Sequence, residues 1–319
     1  AYGVFSAMSV VKAKKLCPEG IFFFFDYKRY SKISKEFFDI LNNFSPYVEP
    51  LSLDEAFLDL TGMEGIIYNV KDYSLKLKKT VYDELGLVVS VGVGSNKFIA
   101  KVASDIEKPN GLVIVKHGDE TKILNNKPVN ILWGVGAKTT QKLKKLGVYT
   151  VADLLKIDFN ILVDCFGNLA YKLRALSQGK DDRPVVGTRE IQSIGKETTF
   201  EVDLIDEMEI KKELLALAEK VGWRLRQKKY FAKTITLKIK TKNFEVITRS
   251  ETINEATNYD EVIYRIVCNL YDGCNIKEGI RLLGITASKF TMSGEMSLFE
   301  SENTKKEALY MAIDSLKNR

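Results

Sequence analysis

Two adjacent carboxylates, Asp54 and Glu55, sit inside Pro50-Leu51-Ser52-Leu53-Asp54-Glu55-Ala56-Phe57-Leu58-Asp59-Leu60, a stretch with little other charge. Leu51 and Leu53 alternate with Pro50 and Ser52 before the pair, and Phe57, Leu58 and Leu60 follow it. That pattern predicts two short strands with Asp54 and Glu55 at the tight connection between them. Neighbours on a straight strand point to opposite faces, but at a turn they can converge on one point. Converging carboxylates repel unless a cation lies between them, and magnesium is commonly held by one or two carboxylates plus substrate phosphates. The same residues also suit a polar hairpin tip in solvent, and this stretch alone leaves both readings open.

The elements that must position the pair are legible from periodicity. Tyr30, Ile33, Phe37, Ile40, Leu41 and Phe44 fall at helical spacing and predict an amphipathic helix over 28–44, ahead of the hairpin. Val70, Leu77, Val81 and Leu85 mark a second helix. A valine-rich strand is expected over 87–93, then a helix over 96–106 ended by Lys108-Pro109-Asn110-Gly111. A second unit begins near Gln192, with a strand over 191–201 and a helix over 207–228. Strands over 234–241 and 245–252, a helix over 259–271 and a strand over 280–290 complete it. That β-α-β-β-α-β order is ferredoxin-like, and the first unit shows the same order without its opening strand. The expected fold class is α+β.

Several blocks carry a family resemblance. Ser52-Leu53-Asp54-Glu55-Ala56-Phe57-Leu58-Asp59 resembles the S-x-D-E-A-[FY]-L-D segment of the Y-family, translesion DNA polymerases. Ser90-Val91-Gly92-Val93-Gly94-Ser95-Asn96-Lys97-Phe98-Ile99-Ala100-Lys101-Val102-Ala103-Ser104-Asp105 resembles that family's next palm block. Lys108-Pro109-Asn110-Gly111 follows at the family's spacing. Ser6-Ala7-Met8 and Ser193-Ile194-Gly195-Lys196-Glu197 match as well, closest to the bacterial DNA polymerase IV branch. The similarity runs in order from Ala1 to about Phe290, and several blocks in register are far more specific than any one of them.

The resemblance implies a template-directed, low-fidelity DNA polymerase for translesion synthesis. In that chemistry a primer 3′-hydroxyl attacks the α-phosphorus of a deoxynucleoside triphosphate, with two Mg2+ ions. It implies a remnant of the fingers over 1–26, a catalytic ferredoxin-like palm over 27–117 and a helix-hairpin-helix thumb over 118–180. A linker over 181–190, a DNA-binding little finger over 191–290 and a tail over 291–319 would follow. Asp54 and Glu55 would be catalytic and metal-holding, Glu55 on the ion that activates the 3′-hydroxyl. Lys108 would contact the triphosphate, and Ser6, Ala7 and Met8 would roof the nascent base pair; ordinary helix capping by Ser6 or Ser9 is compatible with that. The family's third metal-binding carboxylate and its sugar-discriminating aromatic residue lie on a palm strand upstream of Ala1. The sequence is therefore expected to be a piece of a longer chain, inactive by itself. Asp59 lies several strand residues from the tip and is not expected to substitute. For Lys97 and Lys101, support of phosphate binding and a solvated helix face both stay open.

Ile131-Leu132-Trp133-Gly134-Val135-Gly136-Ala137-Lys138-Thr139-Thr140, with Leu143 and Leu146-Gly147 downstream, resembles a helix-hairpin-helix. Gly134 and Gly136 permit a tight turn, so that backbone N–H groups at the next helix start, with Lys138, can hold a DNA phosphate. Phe166-Gly167-Asn168 reads as a second, poorer copy centred on Gly167. A purely structural helical hairpin has the same pattern. On strand 234–241, Ile235, Leu237 and Ile239 alternate with Thr236, Lys238 and Lys240. The outward set, with Thr248, Arg249 and Ser250 and extended by Lys196 and Arg281, could grip a DNA backbone, although any solvated sheet face is polar. The family's little finger grips DNA with such a sheet; Leu282 and Thr286 stand where its members often carry basic residues. In the tail, Glu295-Met296-Ser297-Leu298-Phe299 resembles the Q-L-S-L-F peptide that docks bacterial polymerases on the sliding clamp, with Leu298 and Phe299 as anchors. The other reading packs these side chains on the chain's own body, beside an amphipathic helix over 305–317.

Composition narrows the alternatives. A chain of 319 residues suits two to four small domains. No apolar run reaches the ~20 residues of a membrane span, and no signal-peptide pattern opens the sequence. Cys17, Cys165, Cys268 and Cys274 lack C-x-x-C spacing and His117 is the only histidine, which argues against zinc and a Cys-His nucleophile. Free thiols in the cytoplasm and a monomer are expected. The formal charge of +6 fits a polyanionic partner. Primer-template DNA, a deoxynucleoside triphosphate and the sliding clamp are the expected partners. The rivals are a DNA- and clamp-binding module without catalysis, a helix-hairpin-helix lyase or nuclease, and a cyclase-like palm. Asp153 and Asp158 form no acidic cluster for a nuclease, and a thumb would be idle in a cyclase.

Overall fold

Polar side chains decide where the first helices begin. The computed structural model describes residues 2–187, 190–276 and 278–291, with Tyr310, Ala312, Asp314 and Ser315 beyond them. Ser9 accepts the Lys12 N–H at 3.3 Å and opens α1 (Val10–Leu16). Asp26 caps α2 (Tyr27–Asn42) by accepting from Lys28 and Arg29. The hairpin strands β1 (Tyr47–Pro50) and β2 (Ala56–Asp59) follow, antiparallel, with Glu49 opposite Phe57. Asn69 caps α3 (Val70–Leu85). The strand β3 (Val91–Val93) leads to α4 (Lys97–Ile106), which Asn96 caps, and β4 (Leu112–Ile114) returns parallel to β3.

The strand expected over 87–93 is shorter than its apolar pattern. β4 supplies three partners, and residues 87–90 have no ladder beside them among the described residues. What the Val-Gly-Val pattern does provide is close approach. A Cβ at Gly92 would fall 2.1 Å from the Ala100 carbonyl oxygen and 2.3 Å from the Ser104 nitrogen, so β3 lies directly on the backbone of α4. Five helices complete the first unit: α5 (Glu120–Leu124), α6 (Ala137–Lys145), α7 (Val151–Lys156), α8 (Phe159–Phe166) and α9 (Leu169–Ser177). One core joins α2, the hairpin and α3 through Phe37, Leu41, Val48 and Val81. A second sets Phe98, Ile99, Val102 and Ala103 of α4 against Leu143, Leu162 and Leu173 of the later helices. α4 therefore has one face in the helical core and another toward the hairpin.

A buried ion pair ties that second face to the hairpin. Lys97 Nζ lies 2.6 Å from Glu49 Oε2, with side chains only 7% and 2% exposed. The same Glu49 oxygen accepts the Val186 N–H at 2.9 Å. The Lys97 ammonium is 5.6 Å from the centre of the Phe57 ring, and Trp133 packs edge-on to Phe57. Arg183, paired with Asp181 at 2.7 Å, stacks 4.2 Å over Trp133.

Chain contacts divide the molecule into Ala1–Arg189 and Glu190–Arg319. The second unit runs β5 (Ser193–Leu204), α10 (Glu207–Gln227), β6 (Phe231–Thr241), β7 (Val246–Thr257), α11 (Asp260–Asp272) and β8 (Ile280–Thr291), the element order expected. Every neighbouring pair is antiparallel, in the order β5-β8-β6-β7, and each helix crosses over one intervening strand. The difference from a ferredoxin-like sheet lies in its centre, which holds the fourth and second strands instead of the first and third. Burial explains it: β8 and β6 carry the long inward apolar rows, while β5 and β7 are half exposed and take the edges. Arg226 of α10 is held between Asp260 and Asp314, each at 2.8 Å, under the Tyr310 ring. Among the described residues no helix is long and apolar enough to cross a membrane, and the four cysteines are free.

Removing one member of a buried ion pair strands the other charge, at a cost of about 3–5 kcal/mol, whereas replacing both by apolar groups costs far less. Lys97→Met is expected to lower the urea stability of the first unit by about that amount, and Glu49→Leu/Lys97→Met to recover most of it. Equal losses in the single and double variants would show that the charge pair is not what secures the hairpin.

Candidate active site and nucleic-acid interface

The connection over 51–55 closes on its own backbone. The N–H groups of Leu51 and Ser52 both donate to the Glu55 carbonyl, at 2.8 and 3.2 Å. Ser52 Oγ donates to Asp54 Oδ1 at 2.5 Å and accepts the Asp54 N–H at 3.3 Å. Ser34 on α2, itself buried, donates to the Leu53 carbonyl at 2.6 Å and so fixes the tip from behind. Asp54 is exposed and Glu55 half-buried. Asp59 lies at the other end of β2, opposite Tyr47, and accepts from the Thr61 N–H and hydroxyl at 2.9 and 2.6 Å.

Lys97, Lys101 and Asp105 recur every four residues and share the face of α4 that meets the hairpin. Lys101 Nζ is 2.7 Å from Glu55 Oε1 and 3.4 Å from Asp105 Oδ1, and Lys108 Nζ is 2.5 Å from that same Asp105 oxygen. Burial pulls the Lys101 ammonium down, but its bonds to Glu55 and Asp105 outweigh it and leave the group above the ordinary lysine value. Asp105 is the converse: burial pushes it up, and the lysines at 108 and 101 hold it below the ordinary carboxylate value. Lys97 thus belongs to neither of the two readings its sequence left open, being buried against Glu49. Behind Lys108, Lys78 donates to the carbonyls of Asn110 and Gly111 at 2.6 and 2.9 Å, and the Gly111 N–H donates to Ser90 Oγ at 3.1 Å.

Glu49, Ser34 and Asp105 are positioning groups that sequence reasoning missed. A lone carboxylate among Tyr47, Val48 and Pro50 in an apolar strand is the signal for Glu49. Spacing is the signal for Asp105, four residues after Lys101 and three before Lys108. Ser34 carries none.

Whether this tip fits a divalent ion turns on its donors. Among the described residues no group of three or more His, Cys, Asp or Glu side chains is placed to hold a metal. Asp54, exposed, and Glu55, half-buried, are successive carboxylates in the tip, and hard oxygen donors of that kind fit magnesium, an ion that keeps waters and takes further oxygens from a substrate phosphate.

Comparison with known proteins decides the family. The impB/mucB/samB family matches residues 1–105, its C-terminal domain residues 191–298, and the IMS family HHH motif residues 117–148. The chain is 35% identical over 325 aligned positions to a DNA polymerase IV of Desulfatibacillum aliphaticivorans, covering 100% of this chain and 82% of that protein. It is 37% identical over 291 positions to a DNA polymerase IV of Streptococcus pneumoniae serotype 4, covering 91% and 82%. The chain belongs to the DNA polymerase IV branch of the Y family. In fold it resembles a Y-family DNA polymerase chimera of Dbh and Dpo4, with a TM-score of 0.81 at 24% identity over 92% of this chain and 85% of that one. DinB from Sulfolobus solfataricus gives a TM-score of 0.60 at 24% identity, over 90% and 84%.

Ser6 and Ala7, expected in a fingers segment, form a turn closed by the Met8 N–H on the Phe5 carbonyl at 3.2 Å, with Ala7 at φ +66°. Ser9, not Ser6, is the cap of α1. In the helix-hairpin-helix, Gly134 at φ +90° turns the chain, and Gly136 opens α6 with no side chain bonded to the helix start. Lys138 is exposed and Leu143 fully buried. Gly167, also at positive φ, precedes α9, whose start is likewise uncapped by a side chain.

The sheet of the second unit corrects two expectations. Lys196 pairs with Ile285 and Arg249 with Leu237, and paired residues share a face. Ile285 and Leu237 are core residues, so Lys196 and Arg249 start from the helix-bearing side of the sheet and not the outer face, Lys196 half-buried and Arg249 exposed on the edge strand. Strand alternation is the reason: Thr248 and Ser250 face outward, and the residue between them cannot. Arg249 instead donates to the Thr248 carbonyl at 3.0 Å. Arg281 falls at a register shift and lies 4.9 Å over the Phe244 ring, which Lys240 also approaches at 4.7 Å. The outer face holds Lys238, Lys240 and a row of hydroxyls, with Thr234 bonded to Thr252 and Thr236 to Ser250, both at 2.9 Å. Lys238 is 2.8 Å from Glu197, and Leu282 and Thr286 share this face. Glu295, Met296, Ser297, Leu298 and Phe299 lie outside the described residues.

Ser34→Ala removes the bond that holds the Leu53 carbonyl without touching either carboxylate. Single-turnover incorporation by the complete polymerase is expected to slow by about tenfold, the scale for losing a group that orients a metal-binding side chain. An unchanged rate would show that the tip keeps its geometry without that bond.

Proposed function

We propose that the hairpin tip is the nucleotidyl-transfer centre of a translesion DNA polymerase, with Asp54 and Glu55 holding two Mg2+ ions and Lys108 contacting the incoming triphosphate. The observation that carries this reading is the meeting of Glu55, beside Asp54 at the tip, with Lys101 in the row of charges that runs along α4 to Asp105 and Lys108. Bound magnesium would neutralise charge on the reacting phosphate and favour ionisation of the primer 3′-hydroxyl. The chain's own contribution is placement. Ser34 and Ser52 hold the tip, the buried Glu49–Lys97 pair holds the hairpin on α4, and Lys108 brings a rotatable positive charge to the triphosphate. Ser6, Ala7 and Met8, all small or unbranched, roof the base pair and leave room for a distorted template base.

DNA is held without reading bases. Gly134, Gly136 and Lys138 offer backbone N–H groups and charge to the duplex phosphates at the uncapped start of α6, and Gly167 turns the chain into the uncapped start of α9. Lys238, Lys240 and the outward hydroxyls of the second unit take the backbone further along, with Arg281 at the margin. The Glu295–Phe299 segment tethers the enzyme to a sliding clamp through Leu298 and Phe299, which raises its local concentration at primer ends. The enzyme works as a monomer in the cytoplasm.

The test is single-nucleotide primer extension by the complete gene product with magnesium, beside its Asp54→Ala variant. Incorporation should fall by about 100-fold or more in the variant, at least the scale of losing one preorganised electrostatic group, while primer-template binding persists. Absent incorporation by the unmodified protein, with binding retained, would leave a DNA- and clamp-binding module instead.

A further inference from the structure

We propose that Lys101 is a positioning residue that occupies the cation's place at Glu55 until a divalent ion arrives, with Asp105 as its second seat; this rests on the reading of Asp54 and Glu55 as metal ligands. The geometry supplies each part. Lys101 reaches Glu55 at 2.7 Å and Asp105 at 3.4 Å, so one ammonium already spans both carboxylates. Its backbone cannot follow it. α4 is capped by Asn96, and Phe98, Ile99, Val102 and Ala103 are buried on its other side. An ammonium on a four-carbon stem has three donors and turns freely, so transfer from one carboxylate to the other needs side-chain rotation alone.

Adjacent carboxylates such as these repel unless positive charge lies beside them. Glu55 receives it from Lys101; Asp54 relies on the Ser52 hydroxyl and solvent. A divalent ion at the tip must therefore displace Lys101 from Glu55. Once displaced, Lys101 moves onto Asp105 Oδ1, the oxygen that also holds Lys108. Two ammonium groups then compete for one oxygen, and Lys108 is released toward solvent, where an incoming triphosphate would lie. Ion loading and release of the triphosphate lysine are coupled through a single carboxylate.

The experiment measures Mn2+ binding by the complete protein, without DNA or nucleotide, from the paramagnetic resonance signal of free Mn2+. Lys101→Met removes the competitor and is expected to tighten Mn2+ binding about threefold to fivefold, the upper end of the range for a partly exposed ion pair. Lys101→Arg keeps the competing charge and should bind Mn2+ within twofold of the unmodified protein. In primer extension, the Mg2+ concentration giving half the maximal rate should fall in parallel for Lys101→Met. Unchanged or weaker Mn2+ binding by a folded Lys101→Met protein would overturn the proposal. Asp54→Ala separates the two ideas: if it leaves both Mn2+ binding and incorporation intact, the metal-ligand reading fails and this proposal with it. If it abolishes both while Lys101→Met binds Mn2+ like the unmodified protein, only the role of Lys101 falls.

Discussion

The site depends on a match between two repeats. Four residues of α4, a little over one turn, carry a side chain about 6 Å along the helix at ~1.5 Å each. Two residues along a strand advance about 6.8 Å on one face of the pleat. Lys97 is seated on Glu49, whose strand partner is Phe57, and two positions before Phe57 stands Glu55. Four residues beyond Lys97 stands Lys101. Once the buried pair is formed, the next charge on the helix has little choice but to meet the next carboxylate on the hairpin, as it does at 2.7 Å. The direct contact of β3 with the α4 backbone, which only glycine at 92 permits, keeps the helix from sliding out of this register.

Legibility followed the length of the repeating pattern. The helix expected over 28–44, found as Tyr27–Asn42, and the inward row of β6 are evident because apolar residues recur at 3.6 or 2 over many positions, and burial then follows in the folded chain. The tip was evident because two carboxylates are out of place among leucines. What escaped notice depends on partners distant in sequence. Residues 87–90 have the composition of a strand, yet a strand exists only where another supplies hydrogen bonds, and β4 supplies three residues. Adjacency groups Arg249 with Thr248 and Ser250, whereas the pleat separates them. Lys196 looked like a surface cation until its pairing with Ile285 set its face. The strand order likewise answers to total burial in β8 and β6, which no local window displays.

The outer face of the second unit is consequently less positive than its lysine and arginine content implies. Hydroxyls from Thr234, Thr236, Ser250 and Thr252 are bonded to one another across the β6–β7 ladder, and Lys238 is partly neutralised by Glu197. Such a surface offers hydrogen bonds of modest strength and few fixed charges. It suits a partner whose backbone must slide and whose sequence must not matter, since neither hydroxyls nor phosphate-directed lysines distinguish one base from another.

Charge pairs in the first unit divide by burial into those that hold and those that can exchange. Glu49 and Lys97 are almost fully enclosed, and separating them would leave an uncompensated charge at about 3–5 kcal/mol. Glu55, Lys101, Asp105 and Lys108 are between one-fifth and one-half exposed. Water screens pairs of that kind to about 1 kcal/mol or less, which is within reach of a bound ion or a phosphate. The same helix thus presents a permanent lock at its first turn and exchangeable contacts at its second and third. A catalytic centre needs that order. In the proposed reading of the tip, the carboxylates would keep their position through every turnover, while the ammonium groups around them would change partners as negative charge arrives and departs.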